Sequence, residues 1–131
     1  MDSIKNIIKN KNNMDDKKFN FINRPLDVRI RDCELIKNKY PTRLPIIITK
    51  HKNSTLPILD KYKFLVPNNI TVGEFLYIIR KRITLKHDEA MFFFTNNTLP
   101  CSSETILNLY NKHKDIDGYL YIEYTNENSF G

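Results

Sequence analysis

An α+β fold is predicted for this chain by three observations. Two pairs of strand-like segments are separated in sequence, a capped amphipathic helix lies between them, and the 131 residues suit one ordinary domain. Hydrophobic residues make up 40% of the chain and charged residues 27%, enough apolar content to bury a core.

Residues 1–24 are rich in Asn and Lys and show no strand pattern. Ile4, Ile7 and Ile8 sit at helical spacing beside Lys5 and Lys9, which suits at most a short basic amphipathic helix. An isolated helix under about 12 residues is marginal in water. The segment is expected to be a mobile N-terminal extension. From Pro25, well placed in a first helical turn, Leu26, Ile30, Cys33 and Ile36 form one stripe of a helix running to about Lys39. Pro41 disfavours helical geometry at Tyr40 and ends it.

Leu44 to Lys50 (LPIIITK) reads as a strand covered on much of both faces, and Lys63 to Val66 (KFLV) as a short second strand limited by Pro67. Thr71 with Glu74 three residues on is a capping box, opening a helix whose buried face is Val72, Phe75, Leu76 and Ile79. Arg80, Lys81 and Arg82 suit the negative end of its dipole. Ala90 to Thr95 is a third strand, with an Asn96-Asn97 turn and a short return at Thr98-Leu99. Ser102 and Ser103 are candidate caps for a short helix through Ile106, Leu107 and Tyr110. Asp117-Gly118 marks a turn before a last strand, Tyr119 to Tyr124, and a polar tail from Asn126 to Gly131.

The longest apolar runs are five residues, against about 20 for a membrane span. No secretory signal pattern opens the chain, and Cys33 and Cys101 fit neither a disulfide framework nor a zinc spacing, so a reducing, cytosolic setting is expected. The formal charge is +6, but residues 1–24 hold six basic and three acidic residues and residues 25–131 hold 15 and 12. The body is therefore near an ordinary balance. Arg80 to Arg82 is the one tight basic cluster and a solvated helix end explains it, so no dedicated nucleic-acid recognition is expected. Cys101 beside Pro100 lacks a nucleophile signature and reads as a buried or partly buried structural thiol. His51, His87 and His113 lack ligand spacing, and no glycine-rich phosphate loop exists. The expectation is a non-enzyme with no cofactor and no metal.

Two features point to binding and attachment. Lys63 to Val66 is a short strand whose exposed edge suits an extended peptide, with Phe64, Leu65 and Val66 on alternate faces and Arg43, Lys61 and Lys63 near enough to draw acids. An ordinary edge protected by lysines fits the same residues. The terminal Gly131 lacks a Cβ beside its carbonyl, which suits threading into narrow enzyme sites, although a loose polar tail often ends in glycine.

The segment LPIIITKHKNSTLPILDKYKFLVPNNITVGEFLYIIRKRI (Leu44 to Ile83), with MFFFTNNTLP, YNKHKDIDGYLYIEY and the ending ENSFG, resembles the autophagy ubiquitin-like modifiers, autophagy-related protein eight and its GABARAP-type relatives. The resemblance begins near Pro25 and covers about 107 residues. It implies a ubiquitin-like β-grasp domain at 25–125 with additional N-terminal helices, and a flexible conjugation tail at 126–131. It also implies a modifier activated and conjugated through Gly131, in thioester steps on activating and conjugating enzymes, to phosphatidylethanolamine. Two acyl chains would suffice for stable anchoring. The expected locations are cytoplasm and autophagosome or vesicle membranes. A deconjugating cysteine protease is a further implied partner, and because the chain ends at Gly131 no prior cut is expected.

The same resemblance implies docking of cargo receptors and adaptors through acidic aromatic-x-x-aliphatic motifs. Its aromatic pocket carries over to Asp32, Ile36, Pro45, Ile47, Lys63, Leu65 and Phe94, with Tyr119 nearby where relatives often have Phe. Its aliphatic pocket carries over to Phe64, Val66, Pro67, Ile70, Phe75 and Ile78. Arg43 and Lys61 would join Lys63 in favouring acids. Asp32 is shorter than the Glu common there, Phe64 lacks a Tyr hydroxyl, and residues 1–24 exceed the usual lead-in. A non-conjugated peptide-binding trafficking adaptor is the alternative reading.

Overall fold

The computed structural model describes residues 20–86 and 88–126; residues 1–19, His87 and 127–131, including Phe130 and Gly131, lie outside them. The described elements are α1 (Leu26–Lys39), β1 (Arg43–Lys50), β2 (Lys63–Pro67), α2 (Val72–Arg82), β3 (Phe92–Phe94), α3 (Ile106–His113) and β4 (Leu120–Thr125). They form an α+β unit around a four-stranded sheet of order β2-β1-β4-β3. The central β1–β4 pair is parallel and both outer pairs are antiparallel. No helix among the described residues is long and apolar enough to cross a membrane.

β1 is central because both of its faces are apolar, and Leu44 to Thr49 are all buried. Strand alternation divides the core in two. Leu44, Ile46, Ile48, Phe64, Val66, Leu120, Ile122 and Tyr124 join Phe75 and Ile79 of α2 and Ile106 and Leu109 of α3 in the larger cluster. On the opposite face Ile47 and Tyr119 pack with Phe21 and Cys33, flanked by Ile36, Tyr62 and Tyr121.

α1 keeps its expected limits, with Pro25 at the N-cap position and Tyr40 at the C-cap. Its stripe is weaker than its spacing suggests, since only Cys33 is buried and Leu26 is exposed. Directional bonds hold it instead. Arg29 donates to the fully buried Asp117 carboxylate at 2.9 Å. That carboxylate also accepts from the Tyr121 hydroxyl and, at 2.8 Å, from the Tyr119 N–H. Gly118 (φ +94°) runs so close to α1 that a Cβ there would stand 2.6 Å from the Cys33 sulfur. The expected boundary at residue 24 needs correcting. Phe21 is buried, packed edge-on against Tyr119 at 5.1 Å, so the folded body begins before Pro25.

The capping box at Thr71 and Glu74 is formed as expected. Four other expectations change. Thr105, not Ser102 or Ser103, caps α3 by accepting from Asn108 N–H, while the Ser102 carbonyl accepts from Gly73 N–H. Leu109 rather than Leu107 faces the core. β3 is only three residues long, because Asn96 and Asn97 turn left-handed (φ 48° and 59°) and the return is a single bridge from Thr95 to Thr98. Cys101 is exposed, whereas Cys33 is the buried thiol.

Candidate functional site

β2 lies at one edge of the sheet, and the register fixes which of its backbone groups are spoken for. Ile48 donates to Tyr62 and Asn68 donates to Thr42, so the bonded pairs in the ladder are Ile46–Phe64 and Leu44–Val66. Lys63 and Leu65 occupy the alternating positions, and their N–H and C=O groups point away from β1. The Leu65 carbonyl is met there by Arg43, whose guanidinium donates to it at 3.2 Å. Pro45 opposite Leu65 has no N–H, at a position where β2 requires none.

The same alternation sends side chains to two faces. Lys63 and Leu65 lie on the α1 face with Pro45 and Ile47. Phe64 and Val66 lie on the α2 face, with the Phe64 ring 6.3 Å from that of Phe75. Ile78, one helical turn beyond Phe75, is half exposed, and Pro67 and Ile70 are partly buried. Phe64, Val66 and Phe75 are buried in the larger cluster and Ile70 packs against it, while Ile78 and Pro67 reach solvent. Ile47 is likewise buried, whereas Ile36, Lys63 and Leu65 are partly exposed.

Charge surrounds this edge. Lys63 is half-buried, its ammonium 5.2 Å from the Phe21 ring centre and 5.4 Å from that of Tyr119. Burial lowers its pKa, against a raising effect of Asp32. Asp32 pairs with Arg24 at 3.2 Å, both partly exposed. Lys61 stands 4.6 Å over the Phe64 ring, and Arg82 stands over the same ring at 5.6 Å. Arg82 also binds the Asp60 carboxylate through two hydrogen bonds of 2.7 and 2.8 Å, holding that carboxyl below its usual pKa range.

Of the candidate residues, Phe94 is not brought to this edge. It sits on β3 at the opposite side of the sheet, lining a cleft of about 400 Å³ with His51, Tyr121 and Glu123. Sequence reasoning missed Phe21, Arg24 and Arg82. Phe21 had a legible signal, an aromatic just ahead of the first helix, but Arg24 and Arg82 take their places through tertiary pairing.

A mixed sheet crossed by one capped helix, with its free edge between two apolar clusters, defines a ubiquitin-like β-grasp domain. A family profile described as "Autophagy protein Atg8 ubiquitin like" matches residues 28–131. The chain is 46% identical over 110 residues to Autophagy-related protein 8a of Arabidopsis thaliana, covering 84% of this chain and 90% of the relative. It is 45% identical over 107 residues to Autophagy-related protein 8 of Vanderwaltozyma polyspora, covering 82% and 91%. The crystal structure of Trypanosoma brucei ATG8 superposes with a TM-score of 0.76 at 40% identity, covering 79% of this chain and 90% of that one. Plasmodium falciparum Atg8, solved in complex with a P. falciparum Atg3 peptide, gives 0.72 at 37%, covering 79% and 92%. The chain belongs to the Atg8 family of autophagy-related ubiquitin-like proteins.

Proposed function

We propose that this protein is a non-enzymatic modifier with two working parts. The β2 edge accepts acidic aromatic-x-x-aliphatic segments of cargo receptors and adaptors as an added strand, and Gly131 is the point of conjugation to phosphatidylethanolamine. Domain 25–125, extended back to Phe21, is the binding body, and 126–131 is the conjugation tail. The product resides on autophagosome and vesicle membranes, with an unconjugated cytoplasmic pool. Activating and conjugating enzymes and a deconjugating cysteine protease are its pathway partners; the Atg3 peptide held by the Plasmodium relative supports the conjugation route.

The observation that carries the docking half is the outward-facing backbone of Lys63 and Leu65, met only at the Leu65 carbonyl by the Arg43 side chain and set between two apolar clusters. A bound strand would pair with those backbone groups, send alternate side chains to the two faces, and meet Arg43, Lys61 and Lys63 with its acids. Lys63→Glu with Leu65→Ala should weaken an acidic motif peptide by at least about tenfold in calorimetry; unchanged affinity places the peptide elsewhere. For the attachment half, deletion of Gly131 should abolish lipid transfer in a reconstituted conjugation reaction read by gel mobility and liposome flotation. Undiminished transfer leaves the peptide-binding adaptor as the surviving reading.

A further inference from the structure

One polar atom in the α1-side core has no partner. The Tyr119 hydroxyl is buried and makes no hydrogen bond, the single such side-chain atom found among the described residues. An orphaned buried hydroxyl destabilises the fold, and such groups in native proteins call for an explanation. The other buried tyrosines have one: Tyr110 donates to the Gly118 carbonyl and Tyr124 to the Pro57 carbonyl.

The surroundings of Tyr119 are asymmetric. Phe21, Cys33 and Ile47 close one side and are themselves buried. Lys63 lies against the ring from β2, its ammonium 5.4 Å from the ring centre. Lys63 is only partly buried. The less buried side of the Tyr119 ring is therefore the side of Lys63 and the β2 edge.

We infer that Tyr119 is a specificity-determining residue of that edge: its hydroxyl accepts a hydrogen bond from the indole N–H of a tryptophan at the aromatic position of a docked motif. The inference rests on the docking reading above. Phenylalanine has no donor and would leave the hydroxyl as it is. A tryptophan motif gains the bond only in the bound state, so the orphan atom becomes a means of discrimination.

The test uses the full chain and three acidic peptides identical except at the aromatic position, which is Trp, 1-methyltryptophan or Phe. Methylation removes the donor and keeps the ring. Calorimetry on the intact protein should show Trp binding about fivefold more tightly than 1-methyltryptophan, the scale of one hydrogen bond. In Tyr119→Phe that gap should shrink to within about twofold, with the Phe peptide unaffected. The variant deletes one unpaired atom, and its melting temperature, expected to match or exceed that of the parent, confirms folding. An equal gap in both proteins assigns the methyl penalty to shape alone and overturns the inference, leaving the docking reading intact. Failure of all three peptides to bind the intact chain overturns the docking reading, and the inference with it.

Discussion

The two faces of the sheet are stabilised in different ways. On the α2 face a large cluster of aliphatic and aromatic residues excludes water, and the helix is closed by its own capping box. On the α1 face Phe21, Cys33, Ile47 and Tyr119 form the buried cluster among the described residues, and position comes from Arg29, Asp117 and Tyr121. Apolar burial is non-directional, whereas a buried carboxylate with three donors fixes angles. The contrast explains how α1, a helix with one buried residue, still holds a defined place against the sheet.

The largest expected effect breaks the polar arrangement. Asp117→Ala strands Arg29 and removes the acceptor for Tyr119 N–H and the Tyr121 hydroxyl, and should cost about 3–5 kcal/mol in urea unfolding. Ile79→Ala on the other face should cost a similar amount, about 2–5 kcal/mol. Amide exchange separates them: the Asp117 variant should lose protection across α1 beyond its global destabilisation, and the Ile79 variant should not.

Phe21→Ala should cost about 3 kcal/mol, because Phe21 fills the middle of the small cluster. A version starting at Pro25 should melt lower for the same reason. Equal melting temperatures would show that the body begins at residue 25 after all.

Alkaline pH acts on both faces. Burial pushes the Cys33 thiol up from 9.0 to about 11, and the Tyr110 and Tyr124 hydroxyls from 10.0 to about 12. These groups are neutral when protonated, so their raised folded-state values favour the native state below pH 9. That advantage is lost as pH rises through 9–12 and the unfolded chain releases protons first. A progressive loss of stability across that window is expected in pH-dependent unfolding; a flat profile would contradict it.

The smallest effect is kinetic. Exposed Cys101, its pKa lowered by the hydrogen bond with Ser103, should react with a thiol reagent at once. Cys33 should react only as fast as the α1 face opens, so its labelling rate compares the two faces without a mutation. Equal rates for the two thiols would mean that α1 is not seated.

Much of this was legible in the residues. The strand LPIIITK, the Thr71–Glu74 box and the short strand KFLV limited by Pro67 follow from local chemistry. What escaped depended on distant partners. Arg82 falls in a run that reads as a solvated helix end, yet it binds Asp60 at the other end of the β2 connection. Thr105 caps α3 in place of Ser102 because the helix starts only at Ile106, and the Ser102 carbonyl instead accepts from Gly73 N–H in α2. The resemblance places Phe94 in the aromatic pocket, but β3 lies on the far side of β4 from the β2 edge.

Strand addition at β2 can be read one amide at a time. Saturating the intact protein with an acidic aromatic-x-x-aliphatic peptide should slow hydrogen exchange at the Lys63 and Leu65 N–H groups, which face outward. Phe64 and Val66, already bonded to β1, should change far less. Protection that leaves Lys63 and Leu65 untouched, or that appears at the β3 edge instead, would contradict the account.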